Sequence, residues 1–221
     1  MDAQPNPWLS WRYVERNWSE ISDALGIHTS LTVQAVAIAL AIAFPLAVLA
    51  QQVKWLSGPV LGAAGVLYTV PSFALFALLA PFTGIGRTTV LIGLVMYALL
   101  VLVRNILIGL RGVDRDVVDA ARGLGYGRWR LLMGVELPNA LPSIVAGLRI
   151  ATVSTVALAT VGVVVGYGGL GQLMFRGFQS NYRAQIATSS ILCVALALVL
   201  DVAIVLAGRA LMPWARRRRP A

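Results

Sequence analysis

Four glycines in six residues close the run VGVVVGYGGLG, Val161 to Gly171, and three of them, Gly166, Gly168 and Gly171, have the G-x-G-x-x-G spacing of a dinucleotide-phosphate cradle. Such a cradle needs a short strand before the glycines, a helix after them and an acidic residue about 20 positions on. The preceding apolar stretch is instead about 25 residues long, which is membrane length. The next carboxylate, Asp201, lies inside a further apolar stretch, and no G-x-x-x-x-G-K-[ST] occurs in the chain. The fingerprint reading fails. The glycines are expected to stop a helix and build a tight, closely packed external turn.

The other reactive side chains are as sparse. His28 is the only histidine and Cys193 the only cysteine, so neither a metal site nor an internal disulfide can be assembled. His28 reads as a helix-entry residue in HTSLT, and Cys193 as a small core or lipid-facing residue. No catalytic residue, metal or other cofactor is expected, since a membrane enzyme would need a cluster of such groups.

Composition explains the sparseness. Of 221 residues, 58% are hydrophobic and 12% charged, against about half and a quarter in soluble domains. Five apolar windows follow: about 28–52, 58–82, 87–110, 139–165 and 186–211. The chain is therefore expected to be an all-α, polytopic membrane protein with about five transmembrane helices. The net charge of +9 lies in polar segments beside these windows, in Arg111, Arg115, Arg122, Arg128, Arg130 and Arg216 to Arg219. That is the positive-inside pattern and implies no nucleic-acid partner. It places the amino terminus outside and the carboxyl terminus, with Lys54 and the segment from Arg111 to Glu136, in the cytoplasm. The expected division is an external amphipathic segment 1–27, a transmembrane domain 28–211 and a basic cytoplasmic tail 212–221. Trp8, Trp11, Val14, Trp18, Ile21 and Leu25 recur at helical spacing and suggest an interfacial helix on the outer leaflet. Interruption by Arg12, Glu15 and Asp23 argues against a signal peptide.

Arg149 and Asp201 are charges of opposite sign lying deep within two of the windows. Arg149 is about 10 residues into the fourth, and Asp201 about 10 residues before the end of the fifth, so both sit roughly 15 Å deep. An isolated charge there costs about 2.5–3.5 kcal/mol on insertion scales, so the two are expected to pair, with Arg104 the second choice by depth. The pair is read as a clamp between the last two helices.

One loop, residues 112–137, is too polar to span and too patterned to be passive. Asp114 can cap a helix with Asp116 in its first turn, Gly123 and Gly125 stop it, and a second short amphipathic helix from about Arg128 to Val135 leads to Pro138. Val113, Val117, Ala120, Ala121 and Leu124 fall on one side. The product is a helix-turn-helix on the cytoplasmic face, whose small residues Ala120 and Ala121 would let another protein approach its backbone.

This segment resembles the E-A-A-x3-G-x9-I-x-L-P signature of permease subunits of binding-protein-dependent ABC importers. Asp119-Ala120-Ala121, Gly125, Val135, Leu137 and Pro138 match, with Asp119 for the usual Glu and Val135 for the usual Ile. VPSFALFALLAP, MYALLVLVRNILIGL and VGYGGLGQLMFRG look like the osmoprotectant branch, which imports glycine betaine, carnitine, choline or proline. The resemblance covers nearly the whole chain from His28 onward. It implies the type I ABC importer permease (MetI-like) fold, a bacterial inner-membrane location, a second permease subunit, a cytoplasmic ATP-binding subunit that receives the loop, and an external solute-binding protein.

Aromatic faces bind quaternary ammonium groups, which points to Tyr68, Phe73, Phe76 and Tyr97 in the second and third windows, Tyr68 beside Pro71 above all. Another small solute such as an amino acid is the alternative. A secondary transporter would want several intramembrane carboxylates or repeated halves, and this chain has Asp201 and no repeat.

Overall fold

The computed structural model describes residues 6–214. Residues 1–5 and the last residues of the expected basic tail, 215–221, with Arg216 to Arg219, lie outside the described residues. The elements are helices throughout, in the order α1 (Trp11–Arg16), α2 (Trp18–Gln52), α3 (Ser57–Thr69), α4 (Ser72–Thr83), α5 (Arg87–Arg111), α6 (Arg115–Gly123), α7 (Arg128–Leu131), α8 (Leu137–Ala159), α9 (Leu170–Gln179) and α10 (Arg183–Leu211). Among the described residues four stretches are long and apolar enough to cross a membrane: Trp18–Gln52, Arg87–Arg111, Arg128–Val165 and Arg183–Leu211.

The expected second window is two helices. α3 ends at Thr69 and α4 starts at Ser72, because Pro71 has no N–H to donate and drives Val70 out of the helical region. The freed Val70 carbonyl accepts a hydrogen bond from Tyr97 Oη at 2.5 Å, so α5 holds the break closed.

The expected boundary at residue 28 is not a structural one. α2 runs unbroken from Trp18 through His28, since the change from polar to apolar sequence there alters the surroundings of the helix without breaking it. The proposed tryptophan stripe also divides. Ile21 packs in a cluster with Tyr13, Ala24, Leu170, Leu173 and Ala184, with Val14 and Leu25 against it, while Trp8, Trp11 and Trp18 are exposed. Burial, with Glu20 and Tyr182 adding to it, pushes the Tyr13 phenol up to about 12.

At the centre α2, α5 and α8 pack together. Ala35, Ala39, Ala43 and Ala47 repeat every fourth residue on α2 and are fully buried, a small-residue stripe that brings helix backbones close. Leu102, Val103 and Ile106 of α5 and Ala140 and Ala151 of α8 complete this core. By contrast α10 packs mainly along α8 and α9, and Ile191, Val194, Leu198, Val202 and Leu206 remain exposed.

The glycine-rich turn is an instrument of packing. Gly169 has φ +53, and a Cβ there would lie 2.8 Å from the His28 backbone nitrogen and 2.9 Å from the Ala24 carbonyl oxygen. A Cβ on Gly171 would collide with the Thr160 backbone. Only residues without a side chain can press this turn against α2 and the end of α8. His28 is consequently no helix-entry residue. It is fully buried, and its Nε2–H donates to the Val156 carbonyl at 3.0 Å, joining α2 to α8. The short helix α9, unremarked in the sequence, follows the turn.

Candidate coupling hairpin and intramembrane site

The loop between the third and fourth apolar stretches folds into a helical hairpin. Asp114 Oδ1 accepts from the Asp116 amide at 2.9 Å, which satisfies a free donor at the start of α6. At the other end the Gly125 amide donates to Arg122 O at 2.9 Å and the Tyr126 amide to Ala121 O at 3.1 Å, with Gly125 in the left-handed region at φ +81. That reversal requires glycine and sends the chain back through α7.

From α7 the chain enters a π-helical turn, Leu132–Glu136, and runs directly into α8. The second hairpin helix expected at Arg128–Val135 is therefore the foot of a membrane helix. Val135, Leu137 and Pro138 sit half-buried at this junction, so hairpin displacement would pass to α8 through continuous helix.

The two alanines of the D-A-A triplet have different surroundings. Ala120 is exposed and Ala121 is buried, so of the two expected to meet a partner only Ala120 presents its side chain on the surface of this chain. Asp119 is exposed and pairs with Arg122 at 3.3 Å. Val117, expected to pack beside these residues, is exposed, as is Leu124. With Trp129 and Met133 they put four apolar side chains in the open on the hairpin. Trp129 and Met133 were missed by sequence reasoning, although a tryptophan between Arg128 and Arg130 in a polar loop was a usable signal. Arg130 stacks over the Tyr126 ring, 4.3 Å from its centroid.

Of the aromatic residues, Tyr68 and Tyr97 meet edge to face at 6.1 Å between centroids. Tyr97 is buried, and Tyr68 and Phe73 are exposed beside the break between α3 and α4. Phe76 is fully buried in the core, where the bare Gly93 Cα makes room for its ring, so it lines no path.

Arg149 and Asp201 form a two-pronged ion pair between α8 and α10. Nε donates to Oδ1 at 2.7 Å and the terminal Nη2 to Oδ2 at 2.9 Å, the geometry that a guanidinium and a carboxylate share best.

Four helical stretches of membrane length among the described residues, with a structured hairpin between two of them, define a multi-pass membrane component. The chain belongs to the family of binding-protein-dependent transport system inner membrane components, which it matches over residues 25–217. It is 37% identical over 177 residues to the carnitine transport permease protein OpuCB of Listeria monocytogenes, covering 80% of this chain and 81% of that one. Identity is 41% over 180 residues to the osmoprotectant import permease protein OsmW of Salmonella typhimurium, covering 79% and 83%. Its fold matches that of the inward-facing MetNI methionine ABC transporter with a TM-score of 0.73 at 22% identity, over 92% of this chain and 99% of that one. It is thus a multi-pass permease subunit of an ABC importer, a class that works with ATP-binding and solute-binding partners.

Proposed function

We propose that this permease moves a small osmoprotectant of the glycine betaine, carnitine or choline type inward, driven by ATP hydrolysis on a separate subunit. The observation that carries the solute class is the naming of the relatives: those matched over most of the chain are permeases for carnitine, osmoprotectants, or glycine betaine, carnitine and choline. The chain itself is non-catalytic in this reading. Its hairpin, through Asp119, Ala120, Gly125 and the exposed Val117, Leu124, Trp129 and Met133, seats in a groove of the ATP-binding subunit. Ala121 holds the hairpin's interior, and Val135, Leu137 and Pro138 transmit its displacement to α8.

The amino terminus and glycine-rich turn lie outside, the hairpin and carboxyl terminus in the cytoplasm, and a copy or paralogue completes the pathway. Arginine placement supports that orientation. Exposed aromatic rings at the helix break, Tyr68 and Phe73 with Tyr97 behind, suit a quaternary ammonium group in passage. The test is uptake of labelled glycine betaine, carnitine, choline and proline by cells lacking other carriers, expressing this chain with its ATP-binding and solute-binding partners. Saturable uptake of at least one quaternary ammonium solute is expected. Uptake of none of the four would refute the solute class.

A further inference from the structure

We infer that the Arg149–Asp201 pair is a binding site for a zwitterionic solute in transit, carrying one carboxylate and one quaternary ammonium group. This rests on the permease function proposed above and replaces the clamp reading of the pair. A clamp belongs inside the contact between its helices. Here α8 and α10 approach closely where Gly208 leaves its Cα bare against Val145, one turn of α8 away, and the pair beyond it opens to a surface cavity. The Arg149 and Asp201 side chains are 45% and 22% exposed, and they face a cavity of about 480 Å³ lined also by Ala146, Ile150, Val153 and Ser154.

Both residues lie roughly 15 Å from the helix ends, about ten residues at 1.5 Å each. At that depth ionised side chains face a protein interior or a water-filled cavity and not acyl chains.

The pair matches a zwitterion charge for charge. The guanidinium fork that now holds Asp201 by two parallel hydrogen bonds can hold a solute carboxylate in the same way. The Asp201 carboxylate then faces the quaternary ammonium group, which has no N–H to donate and is held by charge alone. Partners exchange without leaving any charge alone in a low-dielectric wall, and Ile150 and Val153 offer apolar surface to the methyl groups. A solute that is only a cation has to share Asp201 with Arg149, like charge beside like. Zwitterions such as glycine betaine are therefore favoured over choline at this point.

The test uses the whole complex in proteoliposomes, with its ATP-binding subunit, second permease subunit and solute-binding protein. The double variant Arg149→Gln/Asp201→Asn removes both charges and keeps the net charge of the span. Expected are normal assembly, ATP hydrolysis stimulated by loaded binding protein as in the unmodified complex, uptake of labelled glycine betaine reduced about tenfold or more, and a smaller loss for choline. Unchanged betaine uptake, or equal losses for the two solutes, would overturn the site. Should the double variant fail to assemble, Arg149→Lys keeps the charge but lacks the fork. It is expected to raise the betaine KM several-fold while leaving the choline KM in place, and an unchanged betaine KM overturns the proposal. Absence of all uptake by the unmodified complex strikes the proposed function itself, a result distinguishable from loss confined to the variants.

Discussion

Replacing Gly169 by alanine separates two reasons for a glycine. The residue lies at φ +53, ψ −119, outside the left-handed helical region, where a side chain costs about 1–3 kcal/mol. Its new Cβ would also stand 2.8 Å from the backbone nitrogen and Cβ of His28 and 2.9 Å from the Ala24 carbonyl oxygen. None of these is the end of a flexible side chain, so the turn must lift from α2, at the roughly 1–3 kcal/mol typical of overpacking. The total is about 2–6 kcal/mol. Gly166 is the internal control. Its φ is +76, but an added Cβ would meet only Ile85 Cγ2 at 3.6 Å, an ordinary contact, so Gly166→Ala incurs only the backbone cost of about 1–2 kcal/mol. At about 2–4 °C per kcal/mol for a chain of this size, the packing cost alone is expected to place Gly169→Ala some 2–12 °C below Gly166→Ala in thermal unfolding of the purified complex in detergent, followed by tryptophan fluorescence. Equal Tm values would refute the close approach of the glycine turn to α2.

Ala120→Asp places a carboxylate on an exposed face, so folding and membrane insertion are expected to be normal while ATP-binding-subunit capture and uptake fall at least tenfold; full uptake by an assembled complex would remove Ala120 from the contact. Ala121→Asp buries the charge within the hairpin and is expected to disorder it at a cost of several kcal/mol, seen as new protease cleavage near residues 115–127, whereas an intact hairpin would contradict its packing. Tyr13 has a buried hydroxyl without a hydrogen-bond partner among the described residues, so Tyr13→Phe is expected to leave Tm unchanged or raised, while Tyr13→Ala lowers stability by about 3–5 kcal/mol; a clear loss in the Phe variant would show that the hydroxyl matters. In a Cys193→Ser background, a membrane-impermeant thiol reagent applied to intact cells is expected to label Asp23→Cys and spare Leu124→Cys, and the reverse pattern would invert the topology.

Much of this was readable because lipid restricts what a sequence can mean. Long apolar windows must be helices, and two opposite charges at equal depth in neighbouring windows have few places to go, which is why Arg149 and Asp201 could be matched by counting residues. The hairpin's caps were equally plain, since Asp114 and Gly125 act through their own local backbone. Residues 18–27 were less legible because polarity marks where a membrane begins and not where a helix begins, so the continuity of α2 through His28 was hidden. The break before α4 was signalled by Pro71, but hydrophobicity continues across it, and one window concealed two helices. The burial of Ala121 beside the exposure of Ala120, Leu124 and Trp129 depends on how α6 rotates against α7. No local pattern specifies that rotation.

We propose that this chain passes solute only when another subunit hydrolyses ATP against its hairpin. Uptake of labelled glycine betaine into proteoliposomes, measured with and without the ATP-binding subunit, tests it most directly. With the solute-binding protein on the opposite side from the ATP, the account predicts accumulation that requires ATP and the ATP-binding subunit and is abolished by Ala120→Asp. Uptake of the same solute by this chain alone, without the ATP-binding subunit and unaffected by that substitution, would contradict it.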